Sequence, residues 1–334
     1  MEYIVVVLII YFVNSFFKKK EYLVNNTGQS HQELSEKNKI PLTGGLFLLL
    51  FFFYYYNDLI FLTFFVTIFL IGILTDLDKI KSPSIRIIVQ ILFIISFISY
   101  FNLSIDDLRV DFLNSLLQDK YLNLFFILYC FLVLINGSNF IDGNNGLSIG
   151  YYLIIFFIIF LLISDNYILF DKDLITKFSV FLAILLIFNL SNFFYLGDNG
   201  IYLISIFTGY VLINIINQNA FLSPYFIANL LWYPSFELLF SMIRKIKYKY
   251  SPMKPDVNHL HQLIFKILIK KKIFSLKISN SLTGVIINIF NFAILFLCSL
   301  KPTSTNFQVS ILIFSIFFYV IIYYFLKKIK INEI

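Results

Sequence analysis

Charge is what this chain has least of. Only 13% of its 334 residues are Asp, Glu, Lys or Arg, where a soluble domain carries about a quarter. That deficit excludes a soluble fold. Cysteine is nearly absent as well. Cys130 and Cys298 both lie inside apolar runs, which leaves neither a disulfide framework nor a thiolate metal cluster and reads as two small buried hydrophobes. There are three His in the whole chain, so any imidazole chemistry has few places to be. The first apolar run has no basic stretch ahead of it and no small-residue cleavage site, and it reads as a retained helix rather than a removed signal. No internal repeat is visible.

Long apolar runs fill the space. The chain is 59% hydrophobic with mean hydropathy +0.85, and its runs are continuous rather than alternating. Continuous runs specify helices; an outer-membrane barrel would alternate in segments of about ten residues. The expected fold class is therefore all-α, a polytopic integral membrane protein forming one domain over 1–334. About eleven spans can be drawn, at 3–17, 43–56, 59–75, 84–101, 121–136, 147–163, 174–190, 199–217, 224–243, 279–300 and 308–326. The boundary at Asn57-Asp58 is the shortest, a tight hairpin between two runs.

Alternating the loops puts 18–42, 76–83, 137–146, 191–198 and 244–278 on one side with the C-terminal tail. Of the 26 Lys and Arg, 21 fall on that side or, like Arg86, at its edge, and five on the other. Basic residues mark the cytoplasmic face, so the N-terminus is expected outside and the C-terminus inside. The net charge of +7 then reports orientation and calls for no nucleic-acid partner. The opposite loops, with Asp106, Asp107, Asp111 and Asp119, read as solvated chain with room for a short helix.

Five polar knots fall on the basic side. The run from Lys39 to Gly45 holds Pro41, Gly44 and Gly45, which shape a turn; Lys39 could meet a phosphate or anchor the interface. The second knot places Asp76 and Asp78 among Lys79, Lys81 and Arg86, with Gln90 further on. Carboxylates at a membrane boundary are costly without partners, which makes them functional candidates, although a salt-bridged loop before a Ser82-Pro83 helix start would look the same. In the third, Asn136, Asn139 and Asp142 are spaced by three and share one face of a helical turn. Gly143, Asn144, Asn145 and Gly146 follow, and a Gly-rich turn lets a ligand approach the backbone. The fourth carries Asp198 at the start of a span, where an Asp is also an ordinary helix cap. The fifth holds His259 and His261 in a basic loop; two apart, they face the same way only on extended backbone. Metal ligation, phosphate donation and nucleotide contact all remain open for them, and the basic surroundings favour an anion. Just before it, Pro234 should kink a span, and Glu237 in that span should not face lipid.

Carboxylates hold Mg²⁺, and Mg²⁺ with cations holds phosphates. The combination implies phosphoryl transfer at the membrane surface, between a soluble substrate and one lying in the bilayer. In order and type the knots resemble the polyprenyl-phosphate N-acetylhexosamine-1-phosphate transferases, a bacterial glycosyltransferase family 4 group. The resemblance runs over Pro41–Gly45, Gly72–Gln90, the Asn-x-x-Asn-x-x-Asp-Gly run at 136–143, Leu196–Gly200, Pro234–Glu237 and Pro255–His261. The N-out, C-in topology and the His-x-His form are similar to the N-acetylglucosamine branch.

That resemblance implies transfer of a sugar-1-phosphate from a UDP-sugar to polyprenyl (undecaprenyl) phosphate, with release of UMP. The place would be the cytoplasmic face of a bacterial inner membrane, at the first membrane step of cell-wall or lipopolysaccharide synthesis. It implies Mg²⁺, or Mn²⁺ in its place, with Asp198 as the metal ligand. Asp76, Asp78 and Asp142 would act on the phosphates. Lys39, Asn136, Asn139, Gly143, Asn144, Asn145, Glu237, His259 and His261 would bind substrate, with 143–145 against the uridine. Membrane lipids and a second copy of the chain are the other partners it allows. Three positions depart from the family pattern: Leu77 stands where a second Asp would follow Asp76, Asn145 replaces an Asp, and Gln262 replaces a His. Two alternatives compete, an ion-coupled transporter using Asp142, Asp198 and Glu237, and a non-catalytic family member.

Overall fold

A computed structural model describes residues 2–24, 40–247, 249, 258–272 and 274–332. Lys39, most of the 18–42 loop, and 250–257 of the basic loop lie outside the described residues. The described chain is helical, and its β pairing is one isolated bridge between Val24 and Pro41.

The helices run in the order α1 (Glu2–Lys20), α2 (Gly44–Tyr55), α3 (Leu59–Asp76), α4 (Pro83–Phe101), α5 (Asp111–Leu117), α6 (Lys120–Ile141) and α7 (Leu147–Ser164). They continue with α8 (Lys172–Leu190), α9 (Gly197–Gln218), α10 (Pro224–Leu230), α11 (Trp232–Lys247), α12 (Leu260–Lys270), α13 (Leu276–Ser299) and α14 (Thr305–Asn332). Each of the eleven apolar runs becomes helix. Among the described residues eight helices are long and apolar enough to cross a membrane, and the bent pair α10–α11 makes a ninth. The expected eleven is thereby reduced. α2 has 12 residues, and at 1.5 Å per residue it falls well short of a core about 30 Å thick. α1 has the length, but Lys18, Lys19 and Lys20 fill its last turn.

Acidic residues on the far loops start several of these helices. Asp58, Asp119 and Asp171 each accept first-turn backbone amides of α3, α6 and α8, filling donors a helix start leaves open. At the same end Arg109 donates to the carbonyls of Phe221, Leu222 and Thr303. It ties the loop before α5 to the loops on either side of the α10–α13 segment.

The span drawn at 224–243 is two helices meeting at 73°. The break has a covalent cause. Pro234 cannot donate to the carbonyl of Leu230, four residues back, and its ring crowds that carbonyl. The hydroxyl of Tyr151 on α7 takes the vacated place, donating to Leu230 O at 2.9 Å. The loop drawn at 137–146 is shorter than expected, because α6 continues to Ile141 and the turn proper is 142–146.

α9 is the central helix. Its span window is 83% buried, against 17% for α14. The first turn of α9 receives α2 and α3 closely. A Cβ on Gly45 would stand 2.1 Å from Asn199 Oδ1, and one on Gly72 2.3 Å from Asn199 Cα. Both positions need glycine so that three helix ends can converge on one point.

Candidate active site

The ends of α3, α4, α6 and α9 meet there, and each brings a polar side chain. Asp76 closes α3. Its carboxylate accepts the backbone N–H of Asp198 at 2.9 Å and of Asn199 at 3.0 Å, and the Asn199 amide as well. Asp76 is thus the side-chain cap of α9, whose own N-cap residue, Leu196, has none to offer. Asp198, in the first turn, faces Arg86 of α4 at 3.7 Å. It also accepts a hydrogen bond from Asn139 of α6. The Arg86 guanidinium is oriented by its own bond to Ile80 O at 2.9 Å. Asp78 is exposed in a left-handed turn, φ 54°, within electrostatic reach of Asp198.

Asp142 follows the last residue of α6. It accepts the Ser148 hydroxyl and the backbone N–H of Gly197. Burial pushes its carboxyl up to about 8, and the nearby Asp198 and Asp76 charges add to the effect. Asn136, two turns back on the same face of α6, donates to Gln90 of α4 at 3.1 Å. The three-residue spacing therefore does what the sequence requires of it: one helical face carries Asn136, Asn139 and Asp142 into the cluster.

The turn after Asp142 is locked by asparagines. Asn144 donates to Asn280 of α13 at 2.7 Å, and the same Asn280 oxygen accepts the Asn145 backbone N–H. The Asn145 side chain donates to Asn192, and Asn189 accepts from Gly146 N. Both Asn144 and Asn145 are buried, so their amides fix the shape of the turn. Gly143 stays exposed.

His259 and His261 reach this turn from α12. His259 is the extended N-cap, φ −75° and ψ 155°, and His261 already lies in the helix. The expectation that they share a direction only on extended backbone is corrected. The change from extended to helical between them leaves the rings parallel, 7° apart in plane with centroids 5.5 Å apart. Gln262, at the position of the missing His, closes the helix start by accepting His259 N. His261 packs on Gly143: a Cβ there would come within 2.5 Å of its Nε2. The Nδ1 of His261 is buried without a hydrogen-bond partner. Burial, with His259 alongside, pushes the His261 imidazole down to about 3, so it is neutral at pH 7. Glu237 is 1% exposed and accepts His259 Nδ1 at 2.9 Å. It faces protein, as its place in the span requires, and touches the site only through His259. Lys245, one helix over, holds its ammonium 5.5 Å from the Phe140 ring, which itself lies 5.0 Å from His259.

Two groups thus meet at the turn after Asp142, where His261 packs on Gly143. One is a set of carboxylates, Asp76, Asp142 and Asp198, with one amide and one guanidinium. The other is a stacked imidazole pair with buried basic side chains behind it. Among the described residues no three His, Cys, Asp or Glu form a ready-made metal cage. The donor chemistry nonetheless fits Mg²⁺, which takes one or two carboxylates and keeps its remaining positions for water and substrate phosphates. Several of these groups were not legible beforehand. Asn199 and Asn192 lie in a stretch noted for its polarity, whereas Ser148 and Asn280 carry no local signal.

The family comparison spans the acidic cluster. The model of glycosyl transferase family 4 matches residues 59–216, from the start of α3 to the last turn of α9. That interval holds Asp76, Arg86, Asn139, Asp142 and Asp198 and stops short of the histidines. An undecaprenyl-phosphate alpha-N-acetylglucosaminyl 1-phosphate transferase of Thermotoga maritima is 24% identical over 270 residues, which cover 80% of this chain and 81% of that protein. The resemblance drawn from the motifs is borne out as a similarity: over residues 59–216 this multi-pass membrane chain is similar to glycosyl transferase family 4, and its acidic cluster lies within the matched segment.

Proposed function

We propose that this protein transfers a sugar-1-phosphate from a UDP-sugar, an N-acetylhexosamine derivative, to polyprenyl phosphate and releases UMP. A phosphate oxygen of the lipid carrier attacks the proximal phosphorus of the UDP-sugar, and the UMP oxygen leaves. The observation that supports this most is the convergence of Asp198, Asp142, Asn139 and Arg86 where four helices end. Such a site offers positioning and charge neutralisation, which is most of what phosphoryl transfer asks of a protein.

Asp198 and Asp142 would hold a Mg²⁺ or Mn²⁺ ion, with Asn139 orienting Asp198. Bound there, the ion would supply charge for the diphosphate. Arg86 adds a second cation beside the same phosphates. Asp76, whose oxygens accept the amides of Asp198 and Asn199, would aim Asp198 beside the lipid phosphate. His259 offers its Nε2 edge to the donor, and neutral His261 packs over Gly143, beside the path of the nucleotide. In this reading the end of the bundle that carries the basic loops faces the cytoplasm of a bacterial cell, as an excess of Lys and Arg favours; the UDP-sugar would be taken from there, and the product would enter cell-surface polysaccharide synthesis.

The test is transfer of labelled sugar-phosphate from a panel of UDP-N-acetylhexosamines to undecaprenyl phosphate by purified protein, with and without Mg²⁺, reading UMP. Mg²⁺-dependent transfer is expected, and the best donor names the sugar. A folded protein that binds UDP with Mg²⁺ yet transfers from no donor would overturn the reading.

A further inference from the structure

The last helix, α14, reaches the histidines at two points. Glu237 sits in the bundle interior, 1% exposed, where a carboxylate needs donors to persist. It has three. His259 Nδ1 at 2.9 Å and Leu260 N at 3.3 Å reach one oxygen, and the hydroxyl of Tyr319 on α14 reaches the other at 2.5 Å. One turn along α14, the hydroxyl of Tyr323 accepts from Arg244 Nη1 at 2.6 Å. The same nitrogen donates to the carbonyl of Asn258, the residue before His259. At a spacing of four the two tyrosines share a helix face, and their rings stack, 6° apart in plane. Both lie outside the matched segment 59–216.

We infer that Tyr319 is a positioning residue: through Glu237 it sets the ring of His259 with Nδ1 turned inward and Nε2 presented to the substrate. The physical reason is the geometry of imidazole. A carboxylate that accepts from Nδ1 fixes which nitrogen carries that proton and puts the other on the opposite edge of the ring. A carboxylate free to rotate would not hold that edge. Tyr319 occupies the Glu237 oxygen that His259 does not, so the carboxylate plane is held from both sides. Phe140 and His261, with ring centroids at 5.0 and 5.5 Å from that of His259, keep the ring from swinging out. The role assigned to Nε2 rests on the transferase reading; the tautomer does not.

The experiment uses the full-length protein in nanodiscs and two readouts. Tyr319→Phe keeps the ring and its packing and removes only the hydroxyl. It should lower kcat about tenfold, the size of effect seen when an outer partner of an oriented imidazole is lost. In a His259→Ala background the same change should cost nothing further, because residues acting as a unit are not additive. Losses that multiply would overturn the inference. The second readout needs no turnover. The chain has three His, at 31, 259 and 261, so the ¹⁵N-histidine signal of His259 is assigned by its disappearance in His259→Ala. It should report a protonated Nδ1 in the native protein and a shift toward mixed tautomers in Tyr319→Phe. A signal unchanged by the substitution would overturn the inference even if no donor were ever transferred. Tyr324→Phe, at a residue 51% exposed on the same helix, should move neither readout.

Discussion

The carboxylate of Asp76 accepts the backbone N–H of Asp198 at 2.9 Å. Two acids 122 residues apart in the chain are thereby one device: the last residue of α3 caps α9 and aims the acid in its first turn. An anion at a helix N-terminus is stabilised by both the open amides and the helix dipole. That accounts for the tolerance of like charges at this point.

Asp198→Asn and Asp76→Asn should therefore fail differently. Removing the anion of Asp198 should cost at least about 10²-fold in transfer, as loss of a charge-stabilising group does, with little change in melting temperature. Asp76→Asn should lower stability by about 1 kcal/mol, the usual cost of a lost cap, and reduce transfer less. Thermal melts in detergent beside transfer assays check both. An Asp76→Asn protein as inactive as Asp198→Asn but fully stable would assign Asp76 a direct chemical role.

The pH dependence follows from Asp142, whose carboxyl burial raises to about 8. Its folded value lies above its unfolded one near 3.9. Its contribution to stability is therefore full below about pH 3.9 and is lost progressively as pH climbs from there through about 8. Without divalent cations, Asp142→Asn should melt higher than the native protein at pH 9, by less at pH 5, and equally only at about pH 3, below the unfolded value. With the native protein near pH 7, Mg²⁺ binding should release a proton, seen by calorimetry in buffers of different ionisation heat. Binding without proton release would remove Asp142 from the cation site.

Gly143→Ala tests the contact between the two halves of the site. The new methyl would lie 2.5 Å from His261 Nε2, so the ring must move. A displacement of about 1 Å at a positioned group costs about 10²-fold in rate. Transfer should fall by that order while the melting temperature holds. Undiminished transfer would show that the closeness of His261 to the turn is not required.

Tyr151→Phe tests the bend between α10 and α11. It strands the Leu230 carbonyl that Pro234 leaves open, and a buried unsatisfied acceptor costs about 1–3 kcal/mol. Restoring a backbone donor with Pro234→Ala in the same chain should recover part of the loss. Simple addition of the two effects would separate the hydroxyl from the proline.

Sidedness is checked by single cysteines at Lys79 and Lys301, both exposed, in a chain with Cys130 and Cys298 replaced. A membrane-impermeant thiol reagent should label Lys301→Cys from outside the cell and Lys79→Cys only after the membrane is opened. Labelling of both from one side would overturn the N-out, C-in orientation.

Local chemistry made much of this molecule readable in advance. Continuous apolar runs can only be helices in lipid, since every backbone amide must find its partner within the segment. Asn136, Asn139 and Asp142 obey helical spacing, so their shared face needed no tertiary information. Pro234 announced its bend because the missing N–H is covalent. The scarcity of carboxylates made Asp76, Asp142, Asp198 and Glu237 conspicuous.

Which partner each of these residues takes was decided only by the packing. In sequence, Asp76 at a membrane boundary and Glu237 inside a span both read as acids of some use to substrate. In the structure, Asp76 is spent on the start of α9 and Glu237 on His259 and Tyr319. Asn144 and Asn145 pin a turn to α13 and to Asn192. Tyr319 was invisible among 22 tyrosines, because a hydroxyl in an apolar run says nothing of what it will meet. The sequence by itself determined that the chain is helical, lies in a membrane and gathers its polar residues at helix ends, since these follow from backbone hydrogen bonding and the cost of charge in lipid. The tertiary structure alone decided which of those groups cap, which pin and which remain open to substrate. A hydrogen bond is satisfied by whichever donor the packing brings within about 3 Å, however distant it is along the chain.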